Sequence, residues 1–401
     1  MKILLIETET GGHHISLYLN AVVKKLLSNK IDVTVLTLAT PKKNTALDYL
    51  KNKKVKIIYL DKYNKINSSN YLAISFNQIK LYYLIKKRFK EMKDIDHVFL
   101  NTFTIIDKAI SIFGTPFSNT KFSGIYPAIK FNYNQKIFFL NRIKNLVDKF
   151  FFIRMLKIKT LNHIFIPDPI FVRYSKKNII NYRKIFDLSD FGFFNTNMKK
   201  YKKSTTINSE ITSFFKKKDF VILVYGAIRY GKGVHYLLEA VKKFKTIKKL
   251  KIVIAGKQDN FAKNIINIYK RDSKFKEILF ILNYFIPTNL ENYLFKKTDM
   301  VWTGTTKNYM GSSGVFFLSA KYKKPVITSN HGLINFYNKK YKIGYCVEID
   351  NINKINKLLK NITSNPKKIP DSYFDNVIKS HNSENTGKNV IRRIISKNLR
   401  S

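Results

Sequence analysis

The sequence holds one cysteine, Cys346, in 401 residues. It cannot close an internal disulfide, so stability has to come from packed cores, and a reducing compartment suits the chain. Long apolar runs are missing as well. No segment approaches the ~18 uncharged apolar residues of a spanning helix. In Met1-Lys2-Ile3-Leu4-Leu5-Ile6-Glu7 polar residues interrupt too soon for a secretory leader. The expectation is a cytoplasmic protein, at most peripheral at an inner membrane face. Acid is scarce: 26 Asp and Glu stand against 74 Lys and Arg, a net charge of +48. Such an excess suits a polyanionic partner, and it also follows from general over-use of Lys, Asn and Ile. The bases are spread along the chain, which favours a generally basic surface over a nucleic-acid arm. No H-E-x-x-H and no Cys/His cluster occurs, so no metal is expected.

What is present is one grammar used twice. Lys2–Ile6 is a short apolar run, Gly11-Gly12 a turn, and Leu17, Ala21, Leu26 and Leu27 fall near helical spacing before the β-branched run 31–38. Strand, glycine loop, helix, strand is a βαβ unit. Residues 97–103 and 121–126 continue the strands, with His97 and His163 in apolar surroundings that suit core or edge positions. The pattern restarts at Phe220 with FVILVYG, VHYLLEAVKKF, LKIVIAG, EILFILNY, NLENYLFKK, DMVWTG and KPVITSN. Alternating elements imply parallel sheets covered by helices, here in two doubly wound domains. The segment after Pro167-Asp168-Pro169 is polar and weakly periodic, and reads as a linker. The expected division is 1–170, a linker 171–218, a second domain 219–380, and a last helix in 381–401 packing back on the first. Ligands of such sheets bind at the carboxyl ends of the strands. The glycine loops of both halves are therefore expected to face a common cleft.

Three loops carry candidate chemistry. In GAIRYGKG, Gly226 to Gly233, the spacing nearly fits a P-loop, but Gly233 stands where a P-loop needs Ser or Thr on its metal. The alternatives are a diphosphate clamp, with Arg229 as a fork and Lys232 as a point charge, or two solvated bases. In MGSSGVFF, Gly311 and Gly314 let a phosphate approach the backbone. Ser312 and Ser313 supply hydroxyls or simply cap the helix, whose first N–H groups would be the donors. In Gly11-Gly12-His13-His14, His13 is placed to donate to a phosphate or sugar, or to move a proton. The stretch 136–158 mixes aromatics with bases at helical spacing; it reads either as a helix lying on an anionic membrane or as a buried amphipathic helix.

These motifs resemble the GT-B glycosyltransferases of family 4, also called group 1. VYGAIRYGKGVHYLLEAV, LKIVIAGK and MGSSGVFFLSAKYKKPVITSN follow the family's second domain, and ETETGGHHISLYLNAVVKKL and HIFIPDPI follow the first. The resemblance implies two Rossmann-like domains facing a central cleft, the first binding an acceptor and the second a nucleotide sugar. It implies a nucleoside-diphosphate sugar as substrate, no cofactor, no essential metal, and usually a retained anomeric configuration. Lys232 takes the position of the family's diphosphate-binding lysine. The family's arginine follows the first glycine, where this chain has Ala227; Arg229 stands two residues on. Two glutamates, eight apart in the family, fall at Met310 and Leu318, and the chain is similar to a sub-group with SSG in that loop. The implied catalytic set is Arg229, Lys232 and His13. The implied donor-binding set is Gly11, Gly12, Gly226, Gly311, Ser312, Ser313 and Gly314. The implied function is sugar transfer from a UDP or GDP donor to a glycan or lipid-linked acceptor in surface polysaccharide synthesis. Rivals are a non-catalytic polyanion or nucleic-acid binder, a degenerate GT-B protein, and a nucleotide-sugar epimerase or hydrolase.

Overall fold

The computed structural model describes residues 1–8, 19–38, 50, 53, 55–61, 66, 70–127, 129, 131–133, 139–189, 209–215, 219–243 and 250–398. The chain forms two compact units. One is Met1–Phe191 with His381–Ser401, and the other is Gly192–Ser380.

The first unit is built on a 7-stranded sheet in the order β3-β2-β1-β4-β5-β6-β7. Its strands are β1 (Lys2–Glu7), β2 (Asp32–Leu38), β3 (Lys56–Leu60), β4 (His97–Leu100), β5 (Lys121–Ile125), β6 (Leu161–Ile166) and β7 (Ile185–Asp187). Every pairing is parallel. The described helices of this stretch are α1 (Asn20–Ser28), α2 (Tyr71–Lys90), α3 (Asp107–Phe113), α4 (Phe139–Leu156) and α5 (Pro169–Asn178). Parallel strands buried on both faces read as continuous apolar runs, and LLI in β1 and the whole of β4 and β6 are buried accordingly. Leu81, Ile110, Phe152 and Phe171, from α2 to α5, join one core on one face of the sheet. On the other face Val22, Val23 and Leu26 of α1 meet Val390, Ile391 and Ile394.

Those last three residues belong to the C-terminal helix Ser383–Asn398, which packs on α1 so closely that a Cβ at Gly387 would lie 3.0 Å from the Ala21 carbonyl oxygen. The linker expected over 171–218 differs from what is found. Residues 171–189 belong to the first unit: α5 is capped by Asp168, whose carboxylate accepts from the N–H groups of Ile170 and Phe171, and Ile185–Asp187 is an edge strand on β6. A strand of three residues with polar neighbours has too few positions to show an alternation.

The second unit has a 6-stranded sheet in the order β10-β9-β8-β11-β12-β13, again with parallel pairs throughout. Its strands are β8 (Phe220–Tyr225), β9 (Leu250–Ala255), β10 (Leu279–Leu282), β11 (Met300–Trp302), β12 (Val326–Ser329) and β13 (Gly344–Val347). Its described helices are α6 (Ser209–Phe214), α7 (Val234–Lys243), α8 (Asn260–Arg271), α9 (Thr288–Lys297), α10 (Gly314–Lys321), α11 (Gly332–Tyr341), α12 (Ile352–Ser364) and α13 (Asp371–Ser380); the C-terminal helix is thus α14. Winding from β8 to β10 runs one way and from β11 to β13 the other. The strand order reverses between β8 and β11, and the loops leaving their carboxyl ends flank that point.

Candidate functional site

The loop after β8 is shaped by its glycines. Gly226 has φ +90°, and Gly256, at the end of β9, has φ +142°. A Cβ on Gly256 would lie 1.8 Å from the Gly226 carbonyl oxygen, so only glycine lets these two strand ends meet. The chain then makes a short 3₁₀ turn, Tyr230–Lys232, and leaves it through Gly233 in the left-handed region. Tyr230 stacks on His235 at 5.2 Å between centroids, which holds the turn against the start of α7.

The loop after β11 grips that turn from the other side of the switch point. Buried Trp302 donates its indole N–H to the Lys232 carbonyl at 3.0 Å, and the Thr306 N–H donates to the Gly231 carbonyl at 3.0 Å. Tyr309 lies against both glycine segments: Cβ atoms built on Gly231 and Gly311 would each be in van der Waals contact with its side chain. Its hydroxyl donates to the Ser312 carbonyl at 2.8 Å. His331, at the mouth of α11, has Nε2 3.1 Å from the Thr306 carbonyl oxygen.

The two candidate loops converge at one contact. The Lys232 ammonium donates to Ser313 Oγ at 3.1 Å. Ser313 is buried and occupies the N-cap position of α10, but its side chain makes no capping hydrogen bond there. The hydroxyl serves the lysine instead. The N-cap side chain thus does not cap the first turn of α10, whose N–H groups carry the positive end of the helix dipole. Lys232 is partly buried, and its ammonium is crowded by protein. That burial, with the Arg229 guanidinium as a second cause, lowers its pKa to about 8. Two cations and a helix N-terminus around one small region would attract a di-anion strongly.

Among the expected site residues, the structure brings together Gly226, Lys232, Ser312, Ser313 and Gly314. Arg229 is exposed beside Lys232, and Gly311 is exposed at the edge of the same loop. Gly11, Gly12 and His13 lie outside the described residues. Met310 is half-buried, and its carbonyl accepts from the Leu333 N–H at 2.9 Å. Leu318 is buried on α10, where Val315, Phe316, Phe317 and Ala320 are buried too. An ionised glutamate at Leu318 would be costly without a partner. His97 and His163 are buried in the first sheet, as their apolar surroundings suggest. Trp302, Thr306, Tyr309 and His331 went unnoticed in the sequence. Only Tyr309, an aromatic next to a glycine-serine run, left a local signal. Among the described residues no group of three or more His, Cys, Asp or Glu is placed to hold a metal.

Two separate Rossmann-like units, each with a wholly parallel sheet, define the GT-B class. Residues 207–376 match the family model described as Glycosyl transferases group 1. That match falls in the second unit, which thus carries a glycosyl transferases group 1 domain. No curated protein matches the sequence. Solved structures share the fold along the full length. A glycosyltransferase from Rickettsia africae superposes with a TM-score of 0.64 at 16% identity, covering 99% of this chain and 98% of that one. A sucrose-phosphate synthase from Thermosynechococcus elongatus gives 0.73 at 12% identity, covering 100% of both. Anabaena HepE, solved in complex with UDP-glucose, gives 0.67 at 11%, covering 99% of this chain and 100% of that one.

Proposed function

We propose that the chain transfers a sugar from a nucleoside-diphosphate sugar, of the UDP or GDP type, to a glycan or lipid-linked acceptor at an inner membrane face. Transfer retains the anomeric configuration and serves surface polysaccharide synthesis. The observation that carries this reading is the contact of Lys232 Nζ with Ser313 Oγ, 3.1 Å apart at the switch point of the second sheet. A diphosphate at that point would take over the ammonium now given to the hydroxyl. Its other oxygens would receive the N–H groups opening α10 and the Arg229 fork. The complex of Anabaena HepE with UDP-glucose supports a nucleotide-sugar donor.

In the proposed reaction the bond between the anomeric carbon and the diphosphate oxygen breaks. The acceptor oxygen bonds to that carbon on the same face, and its proton passes to a phosphate oxygen of the leaving group. Negative charge grows on the diphosphate, where fixed positive groups act most strongly. No protein carboxylate is needed for the proton, which suits a chain with Met310 and Leu318 at the family's glutamate positions. Lys232, Arg229 and the helix end supply the positive charge, so the transfer is proposed to need neither metal nor cofactor. The first unit is assigned to the acceptor, while Gly11 and Gly12 keep the donor-binding role and His13 the catalytic role that the resemblance implies.

The test is product analysis. Purified protein is incubated with labelled UDP- and GDP-sugars, membrane extract as acceptor source, and EDTA. Label moving into a glycan or lipid fraction supports transfer. Free sugar or an epimerised donor in place of that product assigns the site to hydrolysis or epimerisation.

A further inference from the structure

The first unit carries an exposed apolar face made of residues outside the candidate donor site. The outer side of α2, α3 and α4 exposes Leu72, Phe76 and Tyr83, then Ile112 and Phe113, then Ile143, Leu146 and Phe150. Leu146 is 68% exposed and Phe150 58%, and they stand with the six other exposed apolar residues on three neighbouring helices. On α4 the three fall at i, i+3 and i+7, one side of the helix, while Phe152, Met155 and Leu156 face the core.

The three helices form one face. Tyr71, at the head of α2, donates to Asp148 of α4 at 3.1 Å, and Lys108 of α3 pairs with the same carboxylate at 3.4 Å. The Lys108 ammonium sits 3.6 Å from the centre of the Tyr71 ring. Tyr83 and Phe113 meet at 5.9 Å between centroids, and Ser111 donates to the Phe151 carbonyl at 2.8 Å. All three helices cover the same side of the sheet through one shared core. At ~1.5 Å per residue, α2 makes a ridge about 30 Å long.

Bases outnumber acids on this face, and the acids beside it, Asp61 and Asp148, are each paired with a base. α2 contains no acid and carries Lys80, Lys87 and Lys90. The single acid of α4, Asp148, is held by Tyr71 and Lys108, while Arg142, Lys144 and Arg154 are exposed. Among the described residues no helix is long and apolar enough to cross a membrane. We infer that this face of α2, α3 and α4 docks flat on a lipid bilayer bearing anionic headgroups, with its aliphatic and aromatic side chains at the acyl boundary and its bases at the phosphates. A nucleic acid would use the bases but gives Leu and Ile nothing to bury against. A second copy of a chain charged +48 would be repelled. The inference agrees with the lipid-linked acceptor proposed above but rests on the first unit alone, so donor binding and lipid binding can fail separately.

The test is co-sedimentation of the full chain with vesicles of phosphatidylcholine, alone or with about a third phosphatidylglycerol. Two variants accompany it, Leu146→Glu with Phe150→Glu and Leu72→Glu with Phe76→Glu. All four positions are exposed, so circular dichroism and the melting curve should match wild type. Wild type is expected to partition at least about tenfold better onto the anionic vesicles, and each variant to lose about tenfold. No pelleting by wild type overturns the inference. So does equal pelleting of wild type and both variants, which would leave diffuse charge as the cause. A wild-type dimer in analytical centrifugation, broken by the variants, would give the face to a second copy instead.

Discussion

If Lys232 is the diphosphate's partner, nucleotide binding has to follow its protonation. In the free protein burial and the Arg229 charge place that ammonium near a pKa of about 8. The group is then about nine-tenths charged at pH 7 and about one-tenth charged at pH 9. A bound diphosphate selects the charged form, so the apparent Kd should rise about tenfold over this interval, equivalent to about 1.4 kcal/mol. The phosphates contribute little to the slope, because their own protons leave near pH 6 (approximately). The assay is isothermal titration with UDP or GDP at several pH values in matched ionic strength. Lys232→Arg keeps a charge to far higher pH, so its Kd should stay flat, whatever its absolute value. Lys232→Ala should also be flat, and weaker by about 1.5–3 kcal/mol at pH 7. A flat wild-type curve, or a slope that survives in Lys232→Ala, would refute the assignment of Lys232 to the phosphates.

Three further outcomes are expected. Ser313→Glu puts a carboxylate where the phosphate is placed and beside the lysine, so nucleotide binding should disappear by calorimetry while the melting curve persists; normal affinity would remove the α10 terminus from the site. Gly256→Ala forces a Cβ toward the Gly226 carbonyl oxygen at 1.8 Å and onto a positive φ, so it should lower Tm, by about 2–4 °C for each kcal/mol lost, and weaken nucleotide binding with it. His97 is buried with both ring nitrogens lacking a hydrogen-bond partner, and burial, then His163 and Lys121, bring its pKa down to about 3. Its folded value lies below the unfolded one near 6.5, so its stabilising share is full above pH 6.5 and shrinks as pH falls toward 3; the first unit should lose about 2 kcal/mol between pH 8 and pH 5. Urea midpoints across that range check this, and His97→Leu should flatten the dependence; an equal slope in the variant would place the acid sensitivity elsewhere.

Much of the fold could be read directly from the sequence because parallel strands buried on both faces leave unbroken apolar runs. FVILVYG became Phe220–Tyr225, LKIVIAG became Leu250–Ala255, and DMVWTG became Met300–Trp302. The helix VHYLLEAVKKF fell at Val234–Lys243 because Leu237, Leu238 and Val241 recur on one side. Ile185–Asp187 escaped notice because an edge strand of three residues carries no period, and its neighbours looked like a linker. The glycines pointed to the loops, since a close approach or a positive φ leaves glycine as the residue that fits. What tied the loops together was not readable: Lys232 and Ser313 are 81 positions apart, and nothing local says that a lysine would take the hydroxyl of an N-cap serine. The same holds for the Trp302 indole on the Lys232 carbonyl, a contact made by the parallel register of β8 and β11 and by no motif.

The most direct measurement is a calorimetric titration of the purified protein with UDP, GDP and ADP, at two salt concentrations and with EDTA present. Stoichiometric binding of one uridine or guanosine diphosphate, selective over the others and surviving both salt and chelator, is the expected result. Weak binding of all three that vanishes with added salt would contradict the proposed donor site and leave a basic surface that holds any polyanion.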